Sequence, residues 1–277
     1  MELVAKGNTV FERKTFFKHW RTALYLALSI LIIYSLIILK GEPTIVELEH
    51  LQVNVINNYP HDAASFTQGL VYRDGRMFES AGLYGKSSLR EVVLSTGSVI
   101  KMQNLSSNYF AEGLELVDNK LIQLTWREGK AFVYERDSFD LLDQFSYSGE
   151  GWGLCYDGLR LIMSDGSDKL YFRSPENFEI IGEIKVTLEG QELKNLNELE
   201  FVDGYVYANV WQQDIIVKIN PATGIVVAVI DASGLLTSQE SVGADVLNGI
   251  AWKSETKTFL ITGKKWPKLF EVTFVKK

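Results

Sequence analysis

The sequence predicts an all-β protein, a five-bladed β-propeller preceded by one N-terminal transmembrane helix. Three observations carry that prediction. A strand-opening pattern recurs five times at propeller spacing; the stretches between are short apolar runs punctuated by turn residues; and one charge-free apolar run lies near the N-terminus.

The apolar run comes first along the chain. Ala23 to Leu39 reads ALYLALSILIIYSLIIL, seventeen residues without a charge. At a helical rise of 1.5 Å per residue it spans roughly 26 Å, the short end of what crosses a bilayer. Lys6, Arg13, Lys14, Lys18 and Arg21 precede it, so the N-terminus is expected in the cytoplasm and the body of the chain on the periplasmic or extracellular face. No small-x-small cleavage site follows Leu39, where the chain reads KGEPTIVE. A retained signal-anchor is therefore preferred to a cleaved signal peptide, which would release a secreted protein. The expected division is a cytoplasmic basic segment at 1–22, the anchor at 23–39, a linker at 40–50 and the propeller at 51–277.

The repeats open with QGLVY (68–72), EGLEL (112–116), WGLCY (152–156), NELEF (197–201) and NGIAW (248–252). Their second residues fall at 69, 113, 153, 198 and 249, so the intervals are 44, 40, 45 and 51 residues. That spacing suits four-stranded propeller blades. The second repeat shows the meander most clearly: FAEGLELV, turn DNK, LIQLTW, turn REGK, AFVYER, turn DSFD, LLDQFSY. Asp-Gly and Asn-Pro recur where hairpins need them. The last repeat lacks a strand, and LQVNVI (51–56) is expected to supply it, closing the ring and leaving no long unpaired edge. Two segments exceed the minimal blade, AGLYGKSS (81–88) and DASGLLTSQESVGAD (231–245).

Meander geometry places the start of each first strand and the end of each second strand on one face of the disk. On that face the residues before the aligned position are Gln68, Glu112, Trp152, Asn197 and Asn248. Second strands end near Trp126, Asp165, Trp211 and Lys264, while Phe66 and Phe110 precede Gln68 and Glu112 by two residues. The expected pocket is aromatic-walled and rich in carboxamides, with one carboxylate and a lysine nearby. Aromatic surroundings raise the pKa of a carboxyl and a lysine opposes the rise. Glu112 is the one ring member able to act as acid or base. Two readings of it stand at this point: a proton-transfer group, or a polar axis residue that only binds water. Glu198 beside Asn197 is a second carboxylate close to the ring, in the slot usually held by Gly.

Composition excludes several chemistries. The chain has 277 residues, 46% hydrophobic, with net charge −7; residues 1–40 carry +4, leaving −11 on the rest. An acidic body argues against nucleic acid as a partner. Cys155 is the only cysteine, so no internal disulfide forms. The three histidines, His19, His50 and His61, lie off the ring, against a His/Cys zinc site or a His-based triad. Asp165 to Asp168, DGSD, reads as a hairpin turn rather than a calcium loop. No cofactor is expected.

The motifs SFTQGL (65–70), YFAEGLE (109–115), LTW (124–126), GEGWGL (149–154), LNELE (196–200), YANVWQ (207–212), DVLNGIAW (245–252) and TGKKWPKLFEV (262–272) resemble those of the plant and bacterial type of glutaminyl-peptide cyclotransferase, or glutaminyl cyclase. The resemblance covers nearly all of residues 55–275 and every repeat. It implies a five-bladed propeller, unlike the zinc-dependent animal enzymes, that converts the N-terminal glutamine of peptides or proteins into pyroglutamate and releases ammonia. It implies Glu112 as the acid/base, with Phe66, Gln68, Phe110, Trp126, Trp152, Asn197, Trp211 and Lys264 in the same pocket. Lys264 is then either a stabiliser of the oxyanion or a structural ion-pair partner of Glu112. The membrane segment lies outside the resemblance. The alternatives are a non-catalytic ligand-binding propeller and a metal-dependent propeller hydrolase.

Overall fold

Each recurring opening is the first strand of an antiparallel array: Thr67–Arg73, Ala111–Val117, Leu154–Tyr156, Leu196–Val202 and Leu247–Lys253. The computed structural model describes residues 47–277, from Glu47 to Lys277 a single unit. The expected cytoplasmic and membrane segments, with most of the linker, lie outside the described residues. Among the described residues no helix is long and apolar enough to cross a membrane.

Three four-stranded sheets follow chain order, starting at Thr67, Ala111 and Leu154. Eight of the remaining strands form one sheet. Its middle is Glu49–Pro60, which pairs antiparallel with Lys268–Lys276 and parallel with Val226–Asp231. The N-terminal strand thus completes the last array, as the missing strand required. It is longer than 51–56 and also bonds to the preceding array, which the repeat pattern did not foretell. The five first strands neighbour one another in a closed cycle, and the architecture is all-β and propeller-like. A short hairpin, Thr187–Leu188 with Gln191–Glu192, was not anticipated.

Burial grades outward. Ala111–Val117 is buried throughout, whereas the fourth strand of its sheet, Leu141–Ser146, is largely exposed. The core lies between neighbouring sheets: Phe78 and Leu89 of the first interlock with Leu114, Leu121 and Phe132 of the second. Full burial of each such side chain contributes about 1.5–3 kcal/mol. Hairpins turn where the sequence supplies the chemistry: Asp74 and Gly75, at φ 55° and 76°, make the two left-handed residues of a tight turn.

The glycine after the ring position has a packing cause. A Cβ on Gly113 would stand 2.7 Å from both Leu154 N and Trp152 O, where the next array begins. Gly113 N also donates to Trp152 O at 2.7 Å. The strands approach too closely around the centre for a side chain. Glu198 breaks the pattern by a different bond: its carboxyl accepts from Leu70 N at 3.1 Å and Ile250 N at 2.7 Å, tying two other first strands together.

Candidate active site

Four first strands carry a bulge at the level of the ring. The register slips between Thr67 and Gly69, Ala111 and Leu114, Leu196 and Leu199, and Leu247 and Ile250. Each slip frees the polar ring residue from the ladder and re-aims its side chain, a recurrent use of bulges beside functional sites. In the third array the strand begins only at Leu154, so Trp152 and Gly153 precede it.

The result is a cavity of about 310 Å³, at the small end for ligand sites. Phe66, Gln68, Phe110, Glu112, Trp126, Trp152, Asn197, Trp211 and Lys264 all line it. The structure therefore brings these nine residues together, while Asp165, placed on the same face from the sequence, is not among the lining residues. Two more lining residues, Leu83 and Asp245, were missed. Each belongs to a segment that departs from the minimal repeat, 81–88 or 231–245, and that excess was the available signal. Leu83 holds φ at 93°, rare for a branched side chain. Asn248, the fifth ring member, is buried but not on the cavity wall; it donates to Gln68 Oε1 at 3.2 Å and to Thr67 O at 3.0 Å.

Gln68 in turn donates from Nε2 to Glu112 Oε1 at 2.9 Å. The chain Asn248–Gln68–Glu112 thus orients the carboxyl, which is 4% exposed. Burial pushes Glu112 well above the usual carboxylate range; Lys264 pulls it back, and Glu150 and Glu128 push it further up. Lys264 is lowered by burial against the opposing pull of Glu112 and Asp245. Its Nζ stands 4.9 Å from the centre of the Phe66 ring. It acts on Glu112 through the field, since the hydrogen bond to Glu112 comes from Gln68. Asn197 Oδ1 is buried with no partner among the described residues. Trp266 is buried and donates from Nε1 to Asp245 O at 2.8 Å, fixing the end of the 231–245 segment.

These features define a class: an all-β, propeller-like protein whose closed cycle of first strands presents one poised carboxyl to a small aromatic cavity. The model of the glutamine cyclotransferase family matches residues 28–274. The glutaminyl-peptide cyclotransferase of Arabidopsis thaliana is 41% identical over 227 residues, 80% of this chain and 71% of that protein. The crystal structure of Myxococcus xanthus glutaminyl cyclase superposes with a TM-score of 0.76 at 41% identity, covering 83% of this chain and 100% of that one. The chain belongs to the glutamine cyclotransferase family.

Proposed function

We infer that this chain is a glutaminyl-peptide cyclotransferase, closing the N-terminal glutamine of peptides or proteins into pyroglutamate with release of ammonia. The observation that carries the reading is Glu112, a buried carboxyl with raised proton affinity, held by Gln68 inside an aromatic cavity. The activities named for the Arabidopsis and Myxococcus relatives support it. The five first strands in a cycle support five blades around one axis, the last two joined through Glu49–Pro60.

The reacting groups are already tethered, so the protein must fold the glutamine side chain back and hold it near the amine. Phe66, Phe110 and the three tryptophans wall a cavity sized for one side chain with its backbone head. The α-amine attacks the carboxamide carbon as the Glu112 carboxylate takes its proton. Glu112 then returns the proton to the departing nitrogen, the old C–N bond breaks, and ammonia leaves beside the lactam. A carboxyl whose proton affinity burial has raised suits both steps. Gln68 Nε2 is committed to Glu112, which makes Gln68 an orienting group. Lys264 or the Asn197 amide supplies the donor for the developing oxyanion. The free Asn197 Oδ1 accepts an N–H of the bound glutamine.

A metal-dependent hydrolase would need several carboxylates converging on one ion, and the ring carries one. The charge-free run 23–39 with its basic flank supports a membrane anchor that holds the catalytic body outside the cytoplasm. The test is incubation with a Gln-initiated peptide. Ammonia release with a mass loss of one ammonia, unchanged by chelator, is expected. No release overturns the reading, and loss of activity in chelator favours the hydrolase.

A further inference from the structure

The aromatic wall comes in two runs. In one, Phe66 meets Phe110 edge-on at 6.1 Å, and Phe110 meets Trp126 at 5.5 Å. In the other, Trp152 meets Trp211 edge-on at 5.6 Å. The runs are joined by Glu150, which does not line the cavity. Its Oε2 accepts from Trp126 Nε1 at 2.7 Å and from Trp152 Nε1 at 2.9 Å. Its Oε1 accepts from Arg127 Nε at 2.9 Å, and the Arg127 guanidinium lies 3.6 Å over the Trp126 ring. An indole has a single polar atom, a donor. One carboxylate oxygen therefore fixes the rotation of both rings, which come from different sheets.

We propose that Glu150 is a positioning residue for the cyclisation, locking Trp126 and Trp152 into one wall against the substrate side chain. The role rests on the cyclase reading. Charge-assisted bonds are the stronger kind; both end on Oε2 of a carboxylate whose other oxygen, Oε1, is held by Arg127. Without it the two rings lose their common anchor, and small misplacements of a bound group reduce rate steeply. The carboxylate also acts on the acid/base group through space. Glu112 faces Lys264 as its cationic neighbour and Glu150 and Glu128 as anionic ones; the Tyr84 and Tyr147 phenols and Asp245 complete the titratable surroundings. Removing the charge at position 150 eases deprotonation of Glu112, so the acidic limb of the pH profile moves to lower pH.

The experiment compares the full chain with Glu150→Ala and Glu150→Gln, by steady-state kinetics across pH on a Gln-initiated peptide and by near-ultraviolet circular dichroism of the tryptophans. Glu150→Ala is expected to lower kcat/KM by about tenfold or more and to weaken the tryptophan bands with the far-ultraviolet spectrum intact. Glu150→Gln, which keeps an acceptor oxygen, recovers part of the loss while its acidic limb still moves down. A folded Glu150→Ala with wild-type kcat/KM overturns the proposal, as does an unmoved limb in Glu150→Gln. If Glu150→Ala fails to fold, Glu150→Gln decides through its kcat/KM and tryptophan bands, and wild-type values of both overturn the proposal. A wild-type protein that releases no ammonia removes the cyclase reading and this role together, whereas the tryptophan bands report on the clamp without turnover.

Discussion

Glu112→Gln isolates the proton-transfer step. The replacement keeps the shape of the side chain, and its carboxamide oxygen can still accept from Gln68 Nε2, now at 2.9 Å from the carboxylate. The aromatic walls are untouched, so KM should stay within about twofold, as expected when only a transition-state interaction is removed. What disappears is the group that takes the amine proton and returns it. General acid–base catalysis is worth about 10²–10⁴ in rate, or roughly 3–5 kcal/mol of barrier. Ammonia release should fall by that factor. Stability should move the other way. Burial holds the folded Glu112 pKa well above the ordinary 4.5. The native state therefore binds the proton more tightly than the unfolded one, and the stability it contributes is complete below the ordinary value and lost as pH rises through the folded one. Above that pH the wild type holds a buried charge and the variant does not, so the variant should melt at an equal or higher temperature on the alkaline side. A folded Glu112→Gln retaining more than about a tenth of wild-type turnover would refute the assignment of the proton to this residue.

Three further outcomes follow from particular contacts. Lys264→Met removes the cation that pulls Glu112 back toward its ordinary value, so the acidic limb of the pH profile should rise, opposite to the shift expected for Glu150→Gln; an unchanged limb would show that the two charges do not communicate. Gly113→Ala places a methyl 2.7 Å from two backbone atoms where the next array begins, and denaturant titration should show a loss of about 1–3 kcal/mol. Burial pushes the Glu79 carboxyl up, but His61 at 3.0 Å and the Ser65 and Thr67 hydroxyls at 2.7 Å outweigh it and hold it at about 2. Its stability is present above the ordinary 4.5 and lost as pH falls toward 2; Glu79→Gln should flatten that acid transition and cost about 3–5 kcal/mol at neutral pH by stranding the buried His61, both read from melts across pH.

The repeat made much of this legible. Five openings in register marked where strands start, and once they are read as propeller blades, strand geometry places their ring residues on one face. The parts that escaped are those where the chain leaves the repeat. Leu83 and Asp245 reach the cavity from the two oversized segments, and a period says nothing about the path of an insertion. Glu150 was within reach: it precedes Trp152 by two residues, as Phe66 and Phe110 precede Gln68 and Glu112. It was passed over because the position held rings in the first two repeats and a carboxylate in the third. The register pointed to the place, but only the folded structure shows that the carboxylate bonds both rings.

The comparison of Glu112 with Glu198 shows why position along the strand matters more than burial. The two are adjacent slots of equivalent repeats, both are nearly inaccessible, at 4% and 1% exposed, and burial raises both well above the carboxylate range. Raised proton affinity therefore does not distinguish an acid/base group from a structural one. Their partners do. Glu198 accepts from two backbone amides belonging to two other first strands, and proton transfer there would disturb bonds that hold the centre together. Glu112 accepts one bond, from the side chain of Gln68, and faces the cavity with its remaining capacity. The bulge between Ala111 and Leu114 frees Glu112 from the ladder, while the glycine that follows lets the next strand close in behind it. Within a repeat that elsewhere spends these slots on packing, that combination leaves one carboxyl with a proton to exchange and a place to exchange it.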